Sequence, residues 1–334
     1  MLKRTNILFL TLSTLVVGLF AVDIAVGSVN IPLKDIWGAL TGGECDAATA
    51  KIIIDIRLMK AIVAILAGAA LSVSGLQMQT LFRNPLAGPY VLGVSSGASL
   101  GVALFILGAP LLGFTASPLL STLGTAGAAW LGAAAILAAV AAVSRRIKDI
   151  MVILILGMMI GSAVSAIVQI LQYLSNEEAL KSFIVWTMGS LGDVSGPQLM
   201  LVAPAVVAGL LVSVAAIKPM NMLLLGESYA RTMGLNISRT RTLILLSTTL
   251  LAGTVTAFCG PIGFIGLAIP HVARILFRNA DHRILLPASA LSGAVALLVC
   301  DIFSKLLTLP VNTITALLGI PIVIWVVIKN KNIV

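Results

Sequence analysis

The sequence predicts an all-α polytopic membrane protein, a single transmembrane domain over residues 1–334 with about ten membrane-spanning helices. Composition is the first observation, because 59% of the residues are hydrophobic and only 10% are charged, against about a quarter in ordinary soluble domains. The second is that apolar runs of about 20 residues, the length that crosses a bilayer, recur along the chain. The third is that charged residues fall mainly in the connections between these runs. None of these connections is long enough to form a separate soluble domain.

The predicted spans begin directly after Lys3 and Arg4. This first run is too long for a signal peptide and no cleavage site of small residues follows it, so we interpret it as a retained helix. The eighth run is short and contains Pro270. In order, the predicted spans are Ile7–Val26, Ala61–Leu81, Val91–Leu107, Ser121–Val143, Ile150–Leu174, Leu199–Ile217, Thr242–Cys259, Ile262–Phe277, Ile284–Phe303 and Val311–Ile328.

The net charge of +9 indicates membrane topology rather than nucleic-acid binding, because the basic residues concentrate on alternate connections. Connections rich in Lys and Arg favour the cytoplasmic side, which predicts that both termini are cytoplasmic. The basic residues predicted to be cytoplasmic are Lys3, Arg4, Arg83, Arg145, Arg146, Lys148, Lys218, Arg231, Arg239, Arg241, Arg274, Arg278, Arg283, Lys329 and Lys331. Those predicted on the outer side are Lys34, Lys51, Arg57, Lys60, Lys181 and Lys305.

Three connections between the spans are long. Residues 27–57 and 175–197 form predicted outer loops, and each is expected to contain at most a short helix lying on the surface. Residues 218–241 form the long inner connection, a predicted amphipathic helix with Gly234 placed to end it. Its apolar residues available to fill a groove on a partner protein are Leu223, Leu224, Tyr229, Ala230 and Met233.

The sequence offers little that is typical of an enzyme. The two histidines, His271 and His282, have no carboxylate at metal-ligand spacing, and no G-x-x-x-x-G-K-[ST] loop for ATP occurs. The three cysteines lack C-x-x-C spacing, so neither a metal site nor a disulfide is predicted. The predicted midspans carry almost no charge, whereas proton-coupled carriers usually have ionisable residues there. We therefore expect the energy for any transport to come from a partner protein.

A polar turn, Arg83-Asn84-Pro85, separates two apolar segments rich in small residues between Ile56 and Leu104. Irregular backbone at a membrane boundary needs protein or water to satisfy the hydrogen bonds of its peptide groups. This break therefore indicates a segment that packs against other parts of the protein. Together with CGPIGFIGLAIPHVAR at 259–274, the stretch resembles the FecCD-like membrane-spanning subunits of bacterial type II ABC importers for iron chelates, haem and cobalamin. The motif residues are Arg83, Asn84, Pro85, Gly93, Gly97, Gly260, Gly263, Gly266 and Pro270.

The resemblance implies roles for three groups of residues. The family segment G-E-x-x-A-x-x-L-G, which docks into the ATPase subunits, matches Leu225, Gly226, Glu227, Ala230 and Gly234, with Met233 in place of leucine. Cations that pair with glutamates of a soluble binding protein match Arg57, Lys60 and Lys305. Residues of the fifth span that line the translocation pathway match Met151, Met158, Met159, Ser162 and Gln169.

Departures from the family pattern fall on the outer side. Met59 replaces a proline, Lys60 and Lys305 replace arginines, and Thr308 stands where a glutamate is usual. Lysine keeps the positive charge but lacks the bidentate fork that arginine offers to a carboxylate. We therefore expect docking of a binding protein to persist, with a weaker or differently shaped pairing.

The resemblance also implies a working assembly. The chain would be a non-enzymatic permease subunit without cofactor or metal, multi-pass in the inner membrane, surrounded by lipid and paired with a second copy of itself. Two ATPase subunits carrying ATP and Mg²⁺ and a periplasmic substrate-binding protein would complete an alternating-access importer. An iron–siderophore ranks first as substrate, with cobalamin and haem as alternatives. A secondary carrier or channel independent of ATP is the alternative of a different class, and a membrane-bound enzyme is the third.

Overall fold

The computed structural model describes residues 2–27, 29–43, 45–108, 118–144, 147 and 150–329. These residues form helices joined by turns and loops, with no strand among them, which confirms the predicted all-α class. Each predicted span overlaps a helix. Within the described ranges, 5 helices are long and apolar enough to cross a membrane by length and composition, and shorter apolar helices accompany them. The predicted cytoplasmic residues Arg145, Arg146, Lys148 and Lys331 lie outside the described residues.

The helices follow one another with short connections, and several continue through a π-helical turn. Such turns occupy Ile52–Leu58 before α4, Leu104–Gly108 after α5 and Thr249–Gly253 between α12 and α13. The helices are α1 (Leu2–Ala25), α2 (Leu33–Thr41), α3 (Ala47–Lys51), α4 (Met59–Phe82), α5 (Val94–Ala103), α6 (Pro118–Ser144), α7 (Ile150–Leu174), α8 (Glu177–Thr187), α9 (Gly196–Ala215), α10 (Ile217–Leu223), α11 (Glu227–Thr232), α12 (Ile237–Thr248), α13 (Thr254–Cys259), α14 (Ile265–Phe277), α15 (His282–Leu307) and α16 (Val311–Lys329).

Helix α4 lies at the centre of the bundle and is buried along 67–82. Its many Ala, Gly and Ser residues let neighbouring backbones approach closely, which is how helices associate where lipid removes the hydrophobic driving force. A Cβ built on Gly68 would lie 2.2 Å from the carbonyl oxygen of Gly293, and one on Gly75 would lie 1.6 Å from that of Gly266. Glycine at these crossings therefore allows α4 to pack against α15 and α14 backbone to backbone.

The two predicted outer loops contain short surface helices. Loop 27–57 holds both α2 and α3, so the expectation of at most one short helix there was wrong. Pro32 starts α2, and the carboxylate of Asp46 caps α3 by accepting from two backbone N–H groups of its first turn at 3.2 Å. Loop 175–197 holds α8, as predicted, capped by Asn176. Local capping residues thus account for helices that the mixed composition did not suggest.

The bundle has two polar ends. One carries residues 218–241 together with the C-terminal ends of α4 and α14 and the start of α15; we call it the arginine-rich end. Arg83, Arg241 and Arg274 are among its basic residues. The opposite end, which we call the far end, carries the cations that were expected to face a binding protein.

Candidate functional site

Segment 218–241 folds into two short helices at the arginine-rich end. Helix α10 ends at Leu223, and α11 follows after a turn through Gly226, whose φ of 100° is open to glycine but strained for other residues. Helix α11 ends at Thr232, and Gly234 follows with a φ of 86°, which confirms that this glycine terminates the helix. The segment is therefore a helix–turn–helix rather than one continuous amphipathic helix.

The two faces of this segment differ sharply. Four large apolar side chains face outward, and Tyr229 is 64% exposed although it lies in a short helix against the bundle. The outward residues are Leu224, Leu225, Tyr229 and Met233. In contrast, Leu223 and Ala230 are 3% and 0% exposed, so the prediction that they can fill a partner's groove was wrong. These two residues anchor the segment to its own bundle because they pack into the main hydrophobic core.

Glu227 anchors the segment from the other side. Nη2 of Arg241 on α12 donates to both carboxylate oxygens of Glu227, at 2.7 and 2.9 Å. Arg241 is largely buried, whereas about a quarter of the Glu227 side chain remains exposed. A charge-assisted pair with this geometry holds α11 to α12. Glu227 therefore shapes the segment, and the outward apolar side chains stay exposed on its other face.

The Arg83-Asn84-Pro85 turn links the ends of α4 and α14. Arg83 ends α4 in the left-handed conformation with a φ of 48°, and Asn84 Oδ1 accepts from the backbone N–H of Leu86 at 2.9 Å. The carbonyl oxygen of Pro85 lies 2.7 Å from Nε2 of His271 on α14. Since a carbonyl only accepts, this ring nitrogen carries the proton. The turn thus connects α4 to α14, in line with the packing against protein that the sequence predicted.

The motif glycines mark close approaches between elements. A Cβ on Gly97 would lie 2.5 Å from the carbonyl oxygen of Gly132 on α6, and one on Gly260 would lie 2.5 Å from that of Trp186. Gly93, with a φ of 77°, precedes the first residue of α5. Gly97 and Gly260 leave no room for a side chain, and the left-handed backbone at Gly93 favours glycine, so these motif positions specify packing and local conformation.

The remaining motif residues belong to α14 and the loop that leads into it. The backbone N–H of Gly263 donates to Asn312 Oδ1 on α16 at 2.9 Å. A Cβ on Gly266 would lie 2.7 Å from the carbonyl oxygen of Leu71. Pro270 is buried inside α14. These contacts fix α14 between α4 and α16.

A cleft of about 590 Å³ opens between α5 and α7, on the face where the pathway was expected. Met158, Ser162 and Gln169 of α7, three of the residues predicted to line the pathway, line this cleft. Their role in transport stays a prediction. Met151 and Met159 lie on the same helix and are 50% and 63% exposed, but they do not line this cleft. The structure therefore brings three of the five predicted pathway residues together.

Sequence reasoning missed several hydroxyl groups that line the cleft. Tyr90 and Ser96 line it from the α5 side and Ser165 from α7. An adjoining cleft of about 260 Å³ adds Ser95 and Ser99. The adjacent serines Ser95 and Ser96, directly before the motif glycine Gly97, were the signal available for the α5 side. The described residues that line the two clefts are apolar, hydroxyl, amide or thioether side chains, without a charged group among them.

At the far end, Arg57 points into the protein. Its guanidinium is 4% exposed and donates to the carbonyl oxygens of Ile24 and Ala25 at 3.0 and 2.8 Å, and to that of Val29. These carbonyls belong to the end of α1 and the residues after it, where no further helical turn follows to donate N–H groups to them. Arg57 thus caps α1.

Lys305 and Lys60 at the far end are paired with buried aspartates. Lys305 Nζ lies 2.9 Å from Asp23 on α1 and 2.9 Å from Asp301 on α15, while Lys60 Nζ lies 3.0 Å from Asp301. Both aspartates are 0% exposed, and Lys60 keeps about a fifth of its side chain exposed. The docking role of Arg57, Lys60 and Lys305 stays a prediction, and any partner carboxylate meets cations that already have partners.

Comparison with known proteins assigns this chain to a family. Residues 14–329 match the model of the FecCD transport family. The haemin transport system permease HmuU of Yersinia pestis is 34% identical over 312 residues, covering 92% of this chain and 91% of the relative. The vitamin B12 import system permease BtuC of Salmonella typhi is 39% identical over 281 residues, covering 83% of each chain.

Among solved structures, an inward-facing conformation of a metal-chelate type ABC transporter matches with a TM-score of 0.82 and 27% sequence identity. The match covers 98% of this chain and 99% of that one. The likeness therefore extends over the whole bundle, including both polar ends.

Proposed function

Because this chain belongs to the FecCD transport family and is a multi-pass permease of the metal-chelate, haem and cobalamin type of ABC importer, we propose the following assembly. Two copies of the chain form the pathway in the inner membrane, with both termini cytoplasmic. Two ATPase subunits bind at the arginine-rich end and hydrolyse Mg-ATP, and a periplasmic binding protein delivers substrate at the far end. The cargo is a bulky metal chelate, an iron–siderophore first, with haem and cobalamin as alternatives.

The observation that carries this proposal is the outward face of segment 218–241. Leu225, Tyr229 and Met233 expose 60%, 64% and 54% of their surface in a segment held by the buried Ala230 and by the Glu227–Arg241 pair. A set of exposed apolar residues on a rigid element is typical of a protein–protein contact. Helices that dock into a groove use such anchors. An ATPase subunit at this surface would supply the energy for transport.

The cleft between α5 and α7 supports a passage role for this face. Its hydroxyl, amide and thioether groups contact a large polar ligand without the strong pairing that fixed charges would give. Weak contacts suit a ligand that must leave as readily as it enters, since tight binding in one access state would trap it. We assign Met158, Ser162 and Gln169 to the wall of the pathway, and Met151 and Met159 to its approach along α7.

The binding protein would dock at the far end. Lys60, with about a fifth of its side chain exposed, is the cation of the three that keeps most access to solvent. Arg57 and Lys305 hold α1, α4 and α15 in place from below the surface.

The test begins with affinity purification of the tagged chain in mild detergent, together with its candidate ATPase. Tyr229→Asp is expected to abolish recovery of the ATPase, because it places a charge in the apolar contact surface. Tyr173→Asp, at the 89% exposed end of α7, is the matched control and is expected to leave recovery unchanged. Equal recovery with both variants would refute docking at this segment.

Uptake into vesicles decides between the transport classes and between cargoes. Purified complex and binding protein are assayed with radiolabelled haemin, cyanocobalamin and a ferric hydroxamate siderophore, each with and without ATP. We expect ATP-dependent uptake of one of them, and loss of uptake in Ala230→Trp, since the alanine is fully buried on the side of α11 that packs against the bundle. Uptake that proceeds without ATP would support the secondary-carrier alternative instead.

A further inference from the structure

A chain of polar contacts at the arginine-rich end joins segment 218–241 to the centre of the bundle. It begins at Asn221 on α10, whose Nδ2 donates to Asp281 Oδ1 at 2.6 Å. Asn221 Oδ1 accepts from the backbone N–H of His282 at 2.9 Å and lies 2.7 Å from Nδ1 of the same imidazole. Nε2 of His282 in turn lies 2.8 Å from Thr80 Oγ1 on α4. The contacts thus run from α10 through the first turn of α15 into α4.

The chemistry of the groups fixes the direction of these contacts. A carboxylate only accepts and a backbone N–H only donates, so the amide of Asn221 has one orientation that satisfies both neighbours. Its oxygen then requires a proton on Nδ1 of His282, which leaves Nε2 as an acceptor for the Thr80 hydroxyl, whose single proton is shared with the carbonyl oxygen of Leu76 at 2.9 Å. The backbone N–H of Arg283, and next the Asn221 amide, hold the pKa of Asp281 below its usual range, so Asp281 is an ionised acceptor.

This chain of contacts differs in kind from the apolar packing around it. Hydrophobic contacts are non-directional, whereas hydrogen bonds weaken steeply with distance and angle. At the other end of the segment, α11 is tied to α12 through Glu227 and Arg241. Between the two ties the backbone passes the turn at Gly226. Asn221 is therefore the directional contact by which α10 reaches α15 and α4.

The helices that receive this contact are closely packed against each other. Gly68 of α4 and Gly293 of α15 meet backbone to backbone, since a Cβ on either would lie within about 2.2 Å of the carbonyl oxygen of the other. His282 is 1% exposed and Thr80 is 5% exposed, so water does not compete for their contact. A displacement of Asn221 is therefore transmitted to the centre of the bundle through hydrogen-bonded and closely packed residues.

We propose that Asn221 is a positioning residue for energy coupling: it holds α10 to α15 and α4, so that movement of segment 218–241 is transmitted to the centre of the bundle. The inference rests on the proposed function, in which ATPase subunits move this segment. Asn221 itself contacts neither cargo nor ATP in this assignment. Loss of the Asn221 side chain should lower uptake while ATP hydrolysis continues, and it should not unfold the protein.

The test uses the full complex with its binding protein in liposomes. Uptake of haemin, cyanocobalamin or a ferric hydroxamate siderophore, whichever the wild type carries, is measured beside ATP hydrolysis in the same vesicles. Asn221→Leu keeps the side-chain volume and removes the hydrogen bonds, and Thr80→Val removes the last contact on α4. Both are expected to reduce chelate taken up per ATP about tenfold or more, while the hydrolysis rate stays within about twofold of wild type.

Asn236→Leu is the matched control, because Asn236 lies in the same segment, is exposed, and caps α12 by accepting from Arg239 N–H at 3.0 Å. It is expected to leave uptake per ATP unchanged. The double variant of Asn221→Leu and Thr80→Val should be no worse than Asn221→Leu alone, because both interrupt one chain of contacts.

Two results would overturn the inference: an unchanged ratio in both single variants, or uptake and hydrolysis falling in proportion, which indicates a purely structural role. If Asn221→Leu does not assemble, the isosteric Thr80→Val decides. A wild-type complex that takes up chelate without ATP overturns the proposed function instead. If uptake depends on ATP in the wild type and the variants have the same uptake per ATP, only the proposed role of Asn221 is overturned.

Discussion

Replacing Gly293 by alanine is expected to lower the melting temperature of the protein by about 5 °C, because it forces α4 and α15 apart. The ideal Cβ at this position lies 2.1 Å from the carbonyl oxygen of Gly68, 2.6 Å from Ser72 Cβ and 2.8 Å from the carbonyl carbon of Gly68. Two of these neighbours are backbone atoms, which cannot rotate away. The helices themselves must therefore move.

The magnitude follows from the required displacement. Cβ contacts under 3.0 Å essentially never occur, so the crossing has to open by at least 3.0 − 2.1 = 0.9 Å. A gap of about 0.5–1 Å forfeits a quarter to a half of the dispersion energy of the facing atoms. Overpacking of this kind costs typically about 1–3 kcal/mol, and we expect the upper half of that range. For a chain of this size, about 2 °C per kcal/mol gives the predicted shift.

Thermal unfolding in detergent can be followed with a thiol-reactive fluorophore, because Cys259 and Cys300 are free and buried. Gly18→Ala, in the middle of α1 with nothing within 4 Å of the added Cβ, is the control. It is expected to leave the melting temperature unchanged or to raise it slightly, since alanine favours the helix by up to about 1 kcal/mol.

The reciprocal variant Gly68→Ala should behave like Gly293→Ala, since its Cβ would lie 2.2 Å from the Gly293 carbonyl oxygen. The double variant should cost less than the sum of the two, because one separation of the helices relieves both clashes. Melting temperatures of both single variants within about 1 °C of wild type would refute the backbone-to-backbone crossing.

Two further predictions concern the ends of α15. Asp301→Asn is expected to destabilise the protein by about 3–5 kcal/mol, because it leaves Lys60 without its carboxylate and Lys305 with one in place of two. Lys60→Met should cost clearly less, since Asp301 keeps Lys305; equal losses in urea or thermal unfolding would contradict the buried cluster. Thr308 ends α15 with a φ of 53°, a strained conformation for a β-branched residue. Thr308→Gly is therefore expected to stabilise by about 0.5–1 kcal/mol, and a lower melting temperature would count against this assignment.

The positions of the helices were predictable from the sequence because they depend on local composition. Apolar runs set the spans, and Gly234 marked the end of α11. Capping signals were also local, yet Asp46 was overlooked as the start of α3, so loop 27–57 proved more helical than predicted. The outward position of Tyr229 and Met233 likewise followed from the amphipathic pattern of the segment.

Which face of each helix is buried was harder to predict. In a chain this apolar, the side that faces lipid and the side that faces protein have similar compositions, so periodicity carries little information. For that reason Leu223 and Ala230 were taken for contact residues, although the core encloses them. The hydroxyl groups of Ser96 and Ser165 that line the cleft were missed for the same reason.

The sequence by itself determined the class of the protein, its spans and its family motifs, because each of these depends on residues that are neighbours in the chain. Only the tertiary structure decided which polar side chains pair with each other. Lys305 bonds Asp23 across a separation of 282 residues, and Thr80 meets His282 across 202. The physical reason is that a buried charge or amide is satisfied by whatever helix packing brings within about 3 Å, and packing is a property of the whole bundle.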